Sequence, residues 1–452
     1  MALDLTSLLS RDDWIYTAIL VISFVFAFTI RTMQKSMLFG GLIGVLMTLT
    51  ILGWKIVFSA FLVTTVCILH QLIPPKRLPL VVFVWTFVYL MFLRHLHQFV
   101  DVAELASHAN VVQLIVTLRV IGLTFEITDA KTKKSDGGPK RYLTEEPCLL
   151  EKLAYLYHFC GLFTGPYYTF QMLKDASNPV LHTWSPIGEV TWRIQRLAWS
   201  VPLFVLTNKM FPLDGLRSDA VWEMSLFWRF VYGAAVFTVF RFRVYSAWAI
   251  AESICVVLGI GVYPAESKPK IVVGPTDIAK YNELKDKEDV EMSSEAIVNL
   301  DIKNVEISDS FREGIRSWNR SVQTWLALFV HSRASKLYRV ELTMFVSALW
   351  HGTYAGYFMS FLLVPMCTAV EGIIFKMVPV DAEGKRPEWF RWIYIFTFRS
   401  RGFDMMATGF LLKNFADTHR FWLSIYYWLP LVTLPLYVLH KFSATEKHSK
   451  KN

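Results

Sequence analysis

Apolar stretches long enough to cross a bilayer recur along almost this whole chain, and a soluble fold has no place for so many. A spanning helix needs about 20 mainly apolar residues. Runs of this kind occupy 14–30, 37–53, 56–73 and 78–93. A weaker one runs from Val111 to residue 127 and is interrupted by Arg119 and Glu126. Others lie at 150–172, 197–212, 224–240, 244–263, 341–366, 390–413 and 421–440. The pattern predicts an all-α polytopic membrane protein with about eleven transmembrane helices, plus re-entrant or amphipathic helices.

Composition narrows the class further. Of 452 residues, 54% are hydrophobic and 18% charged, where a soluble domain carries about 25% charged residues. A disordered regulator, a coiled coil and an ordinary cytosolic enzyme are excluded. The net charge of +9 sits mostly in short segments between apolar runs. That distribution favours anionic lipid head groups or a phosphorylated co-substrate over nucleic acid. The five cysteines form no CxxC pair, so neither a disulfide framework nor a metal site is expected. The run from Trp14 to Ile30 comes after Arg11-Asp12-Asp13 and reads as a retained membrane helix, not a cleaved signal.

No internal repeat is visible, so residues 1–452 are expected to form one membrane domain. Two polar segments interrupt it. Residues 129–147 carry Lys131, Lys133, Lys134, Lys140 and Arg141 around a Gly-Gly-Pro turn, a positive-inside signature. Residues 264–309 are rich in Asp, Glu and Lys and read as a long, partly disordered loop. The basic tail at 441–452 is expected on the cytosolic side.

Chemistry concentrates in two places. In the first, Ser310 and Glu313 have capping-box spacing, so a helix should start near Phe311. Trp318, Val322, Trp325 and Phe329 then form an apolar stripe, and Arg312, Arg316 and Arg320 a basic row. The row is either a solvated face or a clamp for phosphates. Asn319 lies between and also starts the sequon Asn319-Arg320-Ser321. A Trp-rich amphipathic helix is a poor glycosylation acceptor, so Asn319 is expected to be a buried amide.

The second is Ser347-Ala348-Leu349-Trp350-His351-Gly352 within the apolar run 341–366. An imidazole at membrane depth needs a partner or a task. It is either a hydrogen-bonded packing residue or a neutral base. Glu252, within another apolar run, either accepts hydrogen bonds from a substrate or pairs with an arginine.

Several segments, taken in order, resemble the membrane-bound O-acyltransferase family, in particular its lysophosphatidylinositol acyltransferase branch. They are Thr164-Gly165-Pro166, Phe240-Arg241-Phe242-Arg243-Val244-Tyr245 and Trp248-Ala249-Ile250-Ala251-Glu252. Phe311 through Asn319 with Gln323-Thr324-Trp325-Leu326 comes next, then Trp350-His351-Gly352 with Gly356-Tyr357, Gly409-Phe410 and Ala416-Asp417-Thr418. The resemblance covers nearly the whole chain; the departures lie in the charged loops, chiefly 129–147 and 265–300.

The resemblance implies a multi-pass endoplasmic-reticulum enzyme with a catalytic chamber. It would move an acyl group, preferably polyunsaturated, from acyl-CoA to the sn-2 hydroxyl of lysophosphatidylinositol. No cofactor is bound permanently; acyl-CoA is a co-substrate. His351 and Asn319 take the family's catalytic positions. Arg312, Arg316, Arg320, Trp318, Trp350, Glu252, Arg241 and Arg243 are the candidate substrate contacts, although Arg241 and Arg243 also suit membrane-edge anchors. Another lyso-lipid, a sterol or a peptide acceptor stays open. So does a lipid or solute transporter, which would use the same polar residues as a pathway.

Overall fold

The computed structural model describes residues 10–33, 36–100, 107–133 and 143–449, with 441–449 as backbone alone. The basic side chains expected at 134–141 and along the tail lie outside the described residues. The chain is mostly helical. In order come α1 (Arg11–Ile30), α2 (Ser36–Leu52), α3 (Ile56–Leu72), α4 (Leu78–His95), α5 (Ser107–Lys133), α6 (Leu149–Leu156), α7 (Phe170–Asp175) and α8 (Val180–Thr183). Next are α9 (Ile187–Ile194), α10 (Leu197–Met210), α11 (Asp219–Glu223), α12 (Leu226–Val257), α13 (Ile278–Leu284), α14 (Ile302–Ile307), α15 (Phe311–Ser317) and α16 (Arg320–Phe329). The last are α17 (Arg339–His351), α18 (Ala355–Met377), α19 (Glu388–Tyr394), α20 (Ser400–Leu412), α21 (Phe415–Ser424) and α22 (Trp428–Ser449). A small antiparallel pair, β1 (Tyr263–Pro264) and β2 (Met292–Ser293), joins Tyr263 to Ser293.

Among the described residues, six helical runs are long and apolar enough to cross a membrane. The pair Phe415–Ser424 and Trp428–His440, bent by 94°, makes a seventh if it is one span. One of the six, Ser36–Leu72, contains a bend. Gly53 has φ +55°, and Gly44 and Ser59 both meet Tyr157: a Cβ on Gly44 would lie 1.7 Å from its carbonyl oxygen, and Ser59 Oγ is 2.9 Å from its hydroxyl. A straight helix would hold those two positions about 22 Å apart. The run is therefore bent near Gly53, not straight.

Several expected spans are corrected. Residues 150–172 do not form one helix: α6 ends at Leu156, and Gly161 (φ +68°), Gly165 (φ +84°) and Pro166 break the stretch beyond it. The apolar side chains of that stretch are buried in protein, with Leu162 at 0% and Phe163 at 3% exposure. The expected spans 224–240 and 244–263 merge into the single α12 of 32 residues, because Phe240 to Tyr245 contain no helix breaker. Residues 341–366 split at Gly352 into α17 and α18. α10, with Pro202 inside it, has only 14 residues. The loop 264–309 is ordered, not partly disordered: Ser267, Val272, Ala296, Ile297 and Leu300 are all buried.

The chain forms two compact units. The first comprises 1–199, 245–300 and 319–329, the second 200–244, 301–318 and 330–452. In the first, Arg119 on α5 is fully buried and donates to the carbonyls of Tyr155, Leu156, His158 and Cys160. One guanidinium thereby gathers four backbone oxygens around the break after α6. In the second, α18 packs against α17, α20 and α22 around a core that includes Phe311, Cys367, Val370, Trp422 and Leu429.

Candidate active site

The basic helix expected from Phe311 onward is two helices. Trp318 is extended (φ −95°, ψ 129°), and Asn319 adopts the left-handed conformation with φ +48°. Asn enters that region more readily than most side chains. α15 therefore ends in the second unit and α16 begins in the first. The arginine row and the apolar stripe are both cut at this point.

In the first unit, Asn319 occupies the N-cap position of α16, its carbonyl accepting from Gln323 N at 3.0 Å. An N-cap Asn normally uses its side chain to satisfy the first free N–H groups. Here Asn299 does so from outside. Its carbonyl accepts from Arg320 N at 2.8 Å, and its Oδ1 accepts from Ser321 N at 2.9 Å. The N–H of Asn299 donates to Glu252 Oε1 at 2.9 Å. Glu252 Oε2 in turn accepts from Arg193 Nε at 3.1 Å, with both side chains at 0% exposure. Arg193 continues to Glu189 Oε2 at 2.8 Å and Ser294 Oγ at 2.8 Å. Burial pushes the Glu189 carboxyl upward, but hydrogen bonds from Ser294, Trp192 and Arg193 outweigh it and hold it below its ordinary value.

This geometry corrects two expectations. Glu252 is enclosed by Arg193 and Asn299, so it supports the polypeptide and does not face a substrate. Arg320 is not a free phosphate ligand: it pairs with Glu295 at 2.5 Å and donates to the Val298 carbonyl at 3.2 Å. Asn319 itself is half-buried, not enclosed. Thr164 and Tyr167 flank the same region, with Tyr167 N donating to Ser321 Oγ at 3.2 Å and Trp248 Nε1 to the Thr164 carbonyl at 3.1 Å.

In the second unit, Ser310 caps α15 as expected, accepting from Glu313 N at 2.9 Å. Glu371 adds a second cap, taking Phe311 N, Arg312 N and the Tyr394 hydroxyl. Arg312 and Arg316 are exposed, and the two share α15. Arg241 is engaged with Glu306 at 3.3 Å and lies over the Phe237 ring, which ties it to its own unit. Arg243 is exposed, and Trp318 packs on Phe237 and Phe240. Sequence reasoning missed Arg399. It closes a π-helical turn, Ile395–Arg399, and donates to the carbonyls of Asn304, Val305 and Glu306. It thereby anchors the C-terminal end of α14, just before α15.

His351 is the last residue of α17, with Gly352 as its cap. Its ring stacks on Phe361 (centroids 5.2 Å apart, 21° between planes) and meets Phe410 edge-on (5.0 Å, 89°). Trp350, at 6% exposure, and Tyr357 complete the aromatic surround. Gly356 N donates to the Lys413 carbonyl at 2.7 Å, and a Cβ on Gly356 would lie 2.2 Å from the Gly409 carbonyl. That close approach of α18 and α20 brings Phe410 against the imidazole. Among the described residues, no three His, Cys, Asp or Glu side chains cluster as metal ligands.

The family model described as MBOAT, membrane-bound O-acyltransferase family, matches residues 46–416. The chain is 59% identical to the membrane-bound acylglycerophosphatidylinositol O-acyltransferase mboa-7 of Caenorhabditis briggsae, covering 97% of this chain and 98% of that one. Identity to the Caenorhabditis elegans protein of the same name is 58%, covering 99% of each. With the human MBOAT7 it is 32%, covering 94% of this chain and 93% of that one. The chain belongs to the membrane-bound O-acyltransferase family and is a membrane-embedded O-acyltransferase.

Proposed function

We propose that this enzyme transfers an acyl group, preferably polyunsaturated, from acyl-CoA to the sn-2 hydroxyl of lysophosphatidylinositol in the endoplasmic-reticulum membrane. The observation that carries the reading is similarity over almost the full length to proteins named as acylglycerophosphatidylinositol O-acyltransferases. Residues 1–452 act as one catalytic domain. Both substrates have an apolar end, so they meet in a membrane chamber that keeps water from the thioester.

In this reading His351 takes the proton of the lipid hydroxyl as the oxygen attacks the thioester carbonyl. A positioned general base is worth about 10²- to 10⁴-fold in rate. The Asn319 amide N–H donates to the oxyanion that develops, or orients the acyl donor. The C–S bond then breaks, and the imidazolium returns its proton to the CoA thiolate. No acyl-enzyme is involved. Arg312 and Arg316, exposed on α15, supply charge for the CoA phosphates. Arg243 remains a candidate for the head group, and Trp318 and Trp350 for apolar parts of the substrates.

The test is acyl transfer from arachidonoyl-CoA to an equimolar mixture of lyso-lipids in washed membranes, with wild type and His351→Ala at equal expression. Selective formation of phosphatidylinositol that depends on His351 is the expected result. A product with another head group overturns the substrate and keeps the chemistry. Full activity in a folded His351→Ala protein overturns the mechanism.

A further inference from the structure

The first unit devotes an unusual amount of buried polar structure to one turn of backbone. Arg193, Glu252 and Asn299 are at 0%, 0% and 1% exposure, and a buried pair of this kind is costly unless its geometry is complete. Its output is a single arrangement. Glu252 fixes the N–H of Asn299, and Asn299 takes the first two N–H groups of α16 through its carbonyl and Oδ1. The residue directly before those N–H groups is Asn319, in the left-handed conformation.

We propose that Asn299 is a positioning residue for Asn319. By capping α16 in its place, Asn299 releases the Asn319 side chain from the task an N-cap Asn normally performs. By gripping both Arg320 N and Ser321 N, it fixes the backbone direction from which the Asn319 amide projects. Glu252 and Arg193 stand behind Asn299 and hold its own backbone. This explains why residue 319 must be Asn for two separate reasons: the turn calls for a residue tolerant of positive φ, and the chemistry calls for an amide donor. The inference rests on the role given to Asn319 above.

One further detail sets the test. The Nδ2 of Asn299 has no hydrogen-bond partner among the described residues. Asn299→Asp therefore keeps every bond that Asn299 makes; the helix dipole favours a carboxylate there and offsets part of the cost of a second buried carboxyl near Glu252. Asn299→Ala keeps the carbonyl and loses the Oδ1 cap.

The full-length protein in detergent, assayed with acyl-CoA and lysophosphatidylinositol, should show kcat about tenfold lower or worse in Asn299→Ala. KM for both substrates should stay within about twofold, because the loss is confined to the transition state. Asn299→Asp should return kcat to within about threefold of wild type. Wild-type kcat in a folded Asn299→Ala protein overturns the proposal. So does a folded Asn299→Asp protein as slow as Asn299→Ala, or a loss expressed only in KM. If Asn299→Ala does not fold, the near-isosteric Asn299→Leu, which also lacks the Oδ1 acceptor, takes its place with the same expected and overturning results. Asn319→Ala runs beside them: full turnover there removes the role of Asn319 itself, a failure distinct from any result at Asn299.

Discussion

The helices on either side of the Trp318–Asn319 break begin in opposite ways. α15, in the second unit, starts from an extended N-cap, Ser310 (φ −135°, ψ 148°), whose own hydroxyl caps the helix. A buried carboxylate, Glu371, reinforces it. α16, in the first unit, starts from a left-handed Asn whose capping work is done by the neutral amide of Asn299. The first start is built for stability: both of its capping acceptors, Ser310 and Glu371, take backbone N–H groups. The second leaves its N-cap side chain uncommitted, and that residue is the one the family resemblance marks as catalytic. A helix start that delegates its cap is therefore a physical sign of a residue with other work.

The strongest way to break this comparison is to separate the two demands on Asn319. Asn319→Gly accepts φ +48° without strain but has no amide, whereas Asn319→Ala loses the amide and adds strain of about 1 kcal/mol. Turnover should fall by about 10²-fold or more in both, on the scale of a lost oxyanion donor. The unfolding midpoint of Asn319→Gly should stay closer to wild type than that of Asn319→Ala. Appreciable activity in Asn319→Gly would show that residue 319 is there only for its backbone.

The α15 start should respond in stability first. Glu371→Leu leaves Phe311 N, Arg312 N and the Tyr394 hydroxyl without their shared acceptor, and a buried unsatisfied donor costs about 1–3 kcal/mol. Ser310→Ala removes one exposed-side cap bond, at about 1 kcal/mol. Thermal unfolding in detergent should rank the two in that order. Folded Ser310→Ala protein should retain near-normal turnover; a loss comparable to that of Asn319→Gly would erase the distinction between the two starts.

How much of this was legible in the sequence depends on where each signal resides. The Ser310/Glu313 spacing is local, so the start of α15 could be read directly. The Asn299 cap belongs to a segment with the composition of a loose polar loop, and nothing near Asn319 announces its left-handed backbone. Hydropathy marked 150–172 as membrane because burial in protein and burial in lipid select the same side chains. It could not tell Leu162, enclosed at 0% exposure, from Leu80, at 69% on α4. Charge likewise disguised 264–300, where Val272, Ile297 and Leu300 pack beneath charged neighbours. The Trp350-His351-Gly352 motif was legible as a candidate site. Its surround was not, because Phe361 and Phe410 come from later helices that only the close contact at Gly356 and Gly409 brings near.

The smallest effect expected lies at the far end of the support behind Asn299. Glu189 is half-buried and titrates below an ordinary carboxyl because its hydrogen bonds from Ser294, Trp192 and Arg193 outweigh burial. A carboxyl whose folded pKa is depressed contributes stability above its unfolded value, near about 4.3, and loses that contribution as pH falls through the folded value. Glu189→Gln has no such proton to bind. Its unfolding midpoint should lie slightly below wild type at about pH 7, with the gap narrowing as the pH drops below about 4.3. Partial exposure screens the pair, so the gap near neutral pH should correspond to less than about 1 kcal/mol. A larger gap would mean that Glu189 holds the α16 start as firmly as Glu252 does, and that the delegated cap depends on the whole chain of carboxylates and arginine behind it.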